Sequence, residues 1–283
     1  MKHIRLFSFS EPFSMSKLHE EFISVLNEFL ELGIKINPNV WFSSEWFCPD
    51  HVEGVGVPFY LQSKRLMNYL EKNGVRVEGK TKSERADLFR HEISHVVDNC
   101  FGLRRLKKRQ KIFGLSSTTY PEFFIPKKNV DKKAQIFHLD DNYWQAHPCE
   151  DFAETFSFVV KNWKQRKSFS LNSKVSYCVG LIEKGDVFFK RKKRSLSFEP
   201  IDNIIYDNRS LGDFIVQSLS DRANLLNTYN FSDKNSRSIE VKSMKYFKSK
   251  SKEPWAVDNL RQLLSFRENY LGQETFVSKK IMK

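Results

Sequence analysis

The sequence predicts an α+β fold. Two observations carry this expectation: segments whose apolar residues recur at helical spacing between capping residues, and a short glycine and valine run of strand character lying among them. A third sets the scale. Hydrophobic residues make up 40% of the 283 positions and 26 of them are Phe, ample material for a packed core.

The first helix is expected over residues 17–32, with Ser16 as N-cap, Leu18, Phe22, Val25 and Phe29 on one face, and Gly33 where it stops. Residues 54–60, Gly-Val-Gly-Val-Pro-Phe-Tyr, read as an edge strand of a small twisted sheet, because Pro58 has no N–H to give a central ladder. A second helix is expected from a cap at Ser83 to Gly102. Glu84 and Asp87 suit the positive end of its dipole, and Leu88, Phe89, Ile93, Val96 and Val97 supply its apolar face. A basic segment, Arg104 to Lys111, and an ordered loop, Thr118 to Pro126, follow. Pro148 then opens a third helix running to about Lys164. Further on, Lys190 to Arg194 reads as an exposed loop, Leu211 to Leu225 as a helix and Ser243 to Lys252 as a polar basic linker, with no internal repeat.

Composition narrows the function classes. No stretch has the roughly 18 apolar residues of a spanning helix, and the first twenty residues hold no apolar run, so a cytoplasmic protein without a transmembrane segment is expected. Cys48, Cys100, Cys149 and Cys178 lie far apart and make no CxxC pair, which favours reduced thiols over a zinc ribbon or redox site. Residues 161–283 carry 25 Lys and Arg against 13 Asp and Glu, which leaves only +1 of the net +13 to residues 1–160. Such a basic half suits a solvated surface, or attraction to nucleic acid, an anionic membrane surface or an acidic partner, although it contains no recognisable nucleic-acid motif.

The second helix contains His91-Glu92-Ile93-Ser94-His95, an HExxH arrangement. Histidines four apart lie one above the other on a helix, so both can reach one zinc ion, and Glu92 falls beside it as general base. Asp98, three residues after His95, shares the histidine face and could orient a ligand. A catalytic zinc needs a third protein ligand. Glu150 is the leading candidate, with His147, Cys149 and Asp151 as alternatives. Glu154, one turn after Glu150, suits a carboxylate that fixes a histidine tautomer.

With both motifs in place the chain resembles a bacterial family of zinc-binding metallopeptidases of the gluzincin type, in which a glutamate is the third ligand. The resemblance covers roughly residues 40–165. It rests on Phe47-Cys48-Pro49-Asp50, Val57-Pro58-Phe59-Tyr60, Arg90 to Asp98, Tyr120-Pro121, His138-Leu139-Asp140 and His147 to Phe156. The Glu150 to Phe156 segment is also similar to the active-site helix of the anthrax lethal factor protease domain, where a tyrosine seven residues before the ligand glutamate faces substrate. That likeness implies a catalytic role for Tyr143 as hydrogen-bond donor to an oxyanion, and His147 could serve similarly or hold substrate. Relatives often have Gly where this chain has Ser94, and some carry a cysteine-rich ribbon that this chain lacks.

The resulting expectation is a zincin-like zinc metallopeptidase domain over residues 1–165, followed by a basic, mainly helical C-terminal region over 166–283. One Zn2+ per chain would be held by His91, His95 and Glu150, and a peptide or protein substrate could lie along the edge strand. The rival expectation is a zinc-containing but non-catalytic binding protein whose basic half contacts nucleic acid or an acidic partner.

Overall fold

The computed structural model describes residues 1–120, 139, 143–169, 172–185, 196, 200 and 202–228, with side chains to Asp221. Seven α-helices and one two-stranded sheet lie among them, a mixed α and β architecture. In chain order these are α1 (Leu18–Glu31), β1 (Asn39–Ser43), β2 (Gly54–Pro58), α2 (Lys64–Lys72), α3 (Lys82–Phe101), α4 (Lys107–Phe113), α5 (Pro148–Lys161), α6 (Ser173–Lys184) and α7 (Leu211–Thr228). None of the described helices is long and apolar enough to cross a membrane. The four cysteines are free thiols. The Lys190 to Arg194 run, the Ser243 to Lys252 linker and all but the first three residues of the Thr118 to Pro126 loop lie outside the described residues.

The chain divides into two compact units. Among the described residues the smaller comprises Met1–Ile4, Asn68–Arg76 and those from Arg209 to 228, and the larger comprises those of Arg5–Met67 and Val77–Asn208. In the smaller unit the start of α7 joins the N-terminus, with Leu211 N–H donating to the Ile4 carbonyl at 2.8 Å and Gly212 N–H to the Lys2 carbonyl at 2.9 Å.

The larger unit is built around α3. From His91 to Phe101 every residue of this helix is buried, because α1 and α5 both pack on it. Its start is fixed by a capping box: the Thr81 hydroxyl accepts from Glu84 N–H, and the Glu84 carboxylate accepts from Thr81 N–H. The cap expected at Ser83 is thus two residues too late, and Ser83 lies inside the first turn. Its end is the expected Gly102, at φ 58°. α1 also differs at its start. Lys17 occupies the N-cap without a side-chain bond, because the Ser16 hydroxyl donates to the Phe13 carbonyl instead.

Aromatic rings fill the space between the helices. Phe89 meets Phe22 and Trp46 edge-on, with centroids 5.5 and 5.0 Å apart, and Phe156 of α5 lies against Phe29 of α1 and Phe152. Two arginines of α3 grip α1 with both prongs: Arg85 holds Glu21 at 2.6 and 2.7 Å, and Arg90 holds Glu28 at 2.7 Å on each side. Where α3 crosses α5, the Ser94 and Ser157 hydroxyls meet at 2.9 Å, both fully buried.

The sheet departs from expectation. β2 ends at Pro58, and Phe59–Gln62 turns into a 3-10 helix. β1, which the sequence analysis did not identify, pairs with β2 in parallel, Trp41 opposite Gly56. The far side of β2 is also engaged, since Gly56 exchanges both backbone hydrogen bonds with Phe47, at 2.9 and 3.3 Å. Gly56 suits this position because a Cβ would clash with the edge of the Phe47 ring. The basic Arg104 to Lys111 segment folds as a 3-10 turn, Leu103–Arg105, followed by α4. The third helix ends at Lys161, three residues before its expected limit.

Candidate metal centre

The site is built from two helices held at a fixed distance. α3 presents His91 and His95 one turn apart, and the first turn of α5 presents Glu150. All three are buried, and their ligand atoms lie within 4.8 Å of one another. The nearest atoms form an almost equilateral triangle. His91 Nε2 is 3.1 Å from Glu150 Oε2, His95 Nε2 is 3.2 Å from the same oxygen, and the two Nε2 atoms are 3.1 Å apart.

Hydrogen bonding alone accounts poorly for that triangle. Each Nε2 can carry one proton, so at most two of the three edges can be bonded, and protonating both nitrogens sets two N–H groups against each other. A tetrahedral ion with bonds of about 2.0–2.1 Å would separate its ligands by about 3.3 Å, close to all three edges. Two imidazoles and one carboxylate are also the donor set of a catalytic zinc site with one position left over. The residues present fit a metal of this kind.

Neighbouring groups set the charges. Burial works against charge on His91, but its hydrogen bond to the Glu150 carboxylate and the nearby Glu154 and Glu92 carboxylates outweigh it and hold the imidazole well above its ordinary range. Burial likewise opposes ionisation of Glu150, yet His95 and His91 keep its carboxyl well below the usual range. The N-terminus of α5 adds to that preference, since Glu150 is its third residue. Glu92 is buried among these groups, and no hydrogen bond ties its carboxylate among the described residues. Burial pushes its carboxyl up, against the pull of both histidines.

The other expected residues are placed as follows. Glu154 Oε1 lies 3.5 Å from His91 Nδ1, and its Oε2 accepts from Leu139 N–H at 3.1 Å. Asp98 does not orient a histidine. Its Oδ1 accepts from Arg104 N–H at 2.7 Å and its Oδ2 from Arg109 at 3.0 Å, because α4 folds back beneath the end of α3 and brings a fully buried guanidinium to it. His147 caps α5: Nδ1 accepts from Cys149 N–H at 3.1 Å and Nε2 donates to the Thr118 carbonyl at 2.9 Å. Both its ring nitrogens are committed, so it is not a ligand. Cys149 lies against Arg109, and Asp151 pairs with Lys174 at 2.7 Å, which leaves Glu150 alone of the four candidates beside the histidines. Tyr143 begins a 3-10 turn before α5 and is 37% exposed.

One residue of the site escaped the sequence analysis as a functional group. The Tyr120 hydroxyl donates to Glu150 Oε1 at 2.8 Å, and its ring stacks on His147 with centroids 3.7 Å apart. Burial beside Glu150 pushes this phenol up. The signal available was the Tyr-Pro pair already singled out, but thirty residues separate it from Glu150. Elsewhere in the larger unit, Phe13, Phe22, Trp41 and Ile205 help to line an open cleft of about 470 Å³ that includes none of the metal-centre residues. No protein-family model, curated protein or solved structure matches the chain.

Proposed function

We propose that this protein is a zinc-dependent metallopeptidase with a zincin-like fold around α3 and α5. The observation that carries the reading is the triangle of His91 Nε2, His95 Nε2 and Glu150 Oε2, whose three edges of 3.1 to 3.2 Å match the ligand spacing of one tetrahedral ion. The HExxH spacing supports it, because it places Glu92 beside the two histidines. An ion held there would polarise a peptide carbonyl and make water acidic near neutral pH. Glu92 would act as general base toward water and pass the proton to the leaving amine, and a carboxylate with no competing hydrogen bond is free to do both. Glu154 holds the His91 ring from behind. Tyr143 donates to the developing oxyanion. The substrate backbone is held elsewhere than along β2 at Gly56, where Phe47 occupies both hydrogen bonds.

The test combines metal analysis with hydrolysis of a peptide library by wild-type, Glu92→Gln and Tyr143→Phe proteins. About one zinc per chain is expected in all three. Cleavage should fall by about 10²–10⁴-fold in Glu92→Gln and by about 10²-fold or more in Tyr143→Phe. A folded wild type that refuses zinc overturns the reading, and undiminished cleavage by either variant removes that residue's role. A protein that holds zinc, cleaves nothing and binds nucleic acid in a salt-dependent way would favour the non-catalytic alternative.

A further inference from the structure

The two oxygens of Glu150 face different partners. Oε2 completes the triangle with the histidines, whereas Oε1 accepts the Tyr120 hydroxyl at 2.8 Å. Tyr120 is itself held, because its ring lies against the His147 imidazole with planes 17° apart. His147 is fixed at both nitrogens, by Cys149 N–H and by the carbonyl of Thr118, two residues before Tyr120. The segment bearing Tyr120 and the first turn of α5 therefore clasp each other. Carboxylates bind divalent ions through one oxygen or two. An oxygen that already accepts a phenol hydrogen bond has one lone pair fewer to offer an ion, which favours binding through the other oxygen.

Resting on the metal-centre reading above, we infer that Tyr120 is a positioning residue of the centre: its hydroxyl restricts Glu150 to a single ligand oxygen and so keeps a coordination position open for substrate. Nothing in the sequence motif requires this. HExxH with a distant glutamate leaves the carboxylate free to bind by one oxygen or both, and here a residue outside both motifs makes the selection. Tyr120 is 45% exposed, so exchanging it for Phe removes the hydroxyl while keeping the ring on His147.

The experiment loads full-length wild-type and Tyr120→Phe proteins with cobalt(II), whose visible absorption weakens as its coordination number rises, and measures zinc affinity by chelator competition. The variant is expected to keep one ion per chain, to bind zinc about tenfold less tightly, and to show a weaker cobalt band as Oε1 joins the ion. A single cooperative thermal transition in both metal-free proteins, the variant's somewhat lower for want of one hydrogen bond, separates the effect from a folding defect. Identical cobalt spectra and zinc affinities in the two proteins would overturn this inference and leave the metal centre standing. A wild type that takes up neither metal would remove both.

Discussion

His91 has two ring nitrogens, and the chain puts a carboxylate beside each: Glu150 Oε2 at Nε2 and Glu154 Oε1 at Nδ1. If the proposed ion binds, this carboxylate would favour a proton on Nδ1, leaving Nε2 to the metal and more basic. Glu154→Gln should therefore lower zinc affinity by about 10- to 100-fold in chelator competition. An unchanged affinity would reduce Glu154 to packing. At this scale the sequence was informative wherever spacing along one helix decides the geometry, as for His91 with His95 and Glu150 with Glu154. It was uninformative for Asp98. The face of the helix could be read, but the fully buried Arg109 that claims this carboxylate arrives from another helix.

Helices α3, α4 and α5 are joined through that arginine. Its guanidinium bonds Asp98, reaches the Pro148 carbonyl at 3.4 Å and lies 5.1 Å from the centre of the Phe152 ring, so the end of α3 and the start of α5 share one buried cation. Arg109→Met would leave the Asp98 charge buried without its main partner. A loss of about 3–5 kcal/mol is expected in urea unfolding, partly restored by adding Asp98→Asn. A loss below about 1 kcal/mol would show that water or Arg104 replaces the missing charge. The element boundaries show where local rules suffice. The reciprocal bonds of Thr81 and Glu84 follow an S/T-x-x-E pattern that was legible, yet a second hydroxyl at Ser83 competed for the same role. β1 is five residues long, too short for its alternation to stand out, and its pairing depends on a partner fifteen residues away.

For the whole molecule, an ion bound only by the folded state adds stability by mass action. With free zinc at about 1,000 times Kd the gain is about 4 kcal/mol. Chelation should thus lower Tm by on the order of 10 °C for a chain of this size, and readdition of zinc should restore it; equal melting with and without chelator would count against a bound metal. The general class, helices with a small sheet, was legible from periodicity and composition. The division into units was not, because contacts between the two ends of the described chain are invisible to any window moved along it.

The Ser94 and Ser157 hydroxyls meet in the contact between the two helices that carry the candidate ligands, and Ser94 stands one residue before His95. Packed interiors tolerate a change of volume poorly. Among natural variants of this chain, positions 94 and 157 should therefore covary: glycine at 94 admits a larger residue at 157, and growth at both would drive Glu150 away from the histidines. Spacing would then constrain evolution of the proposed metal centre at two positions outside its ligand set.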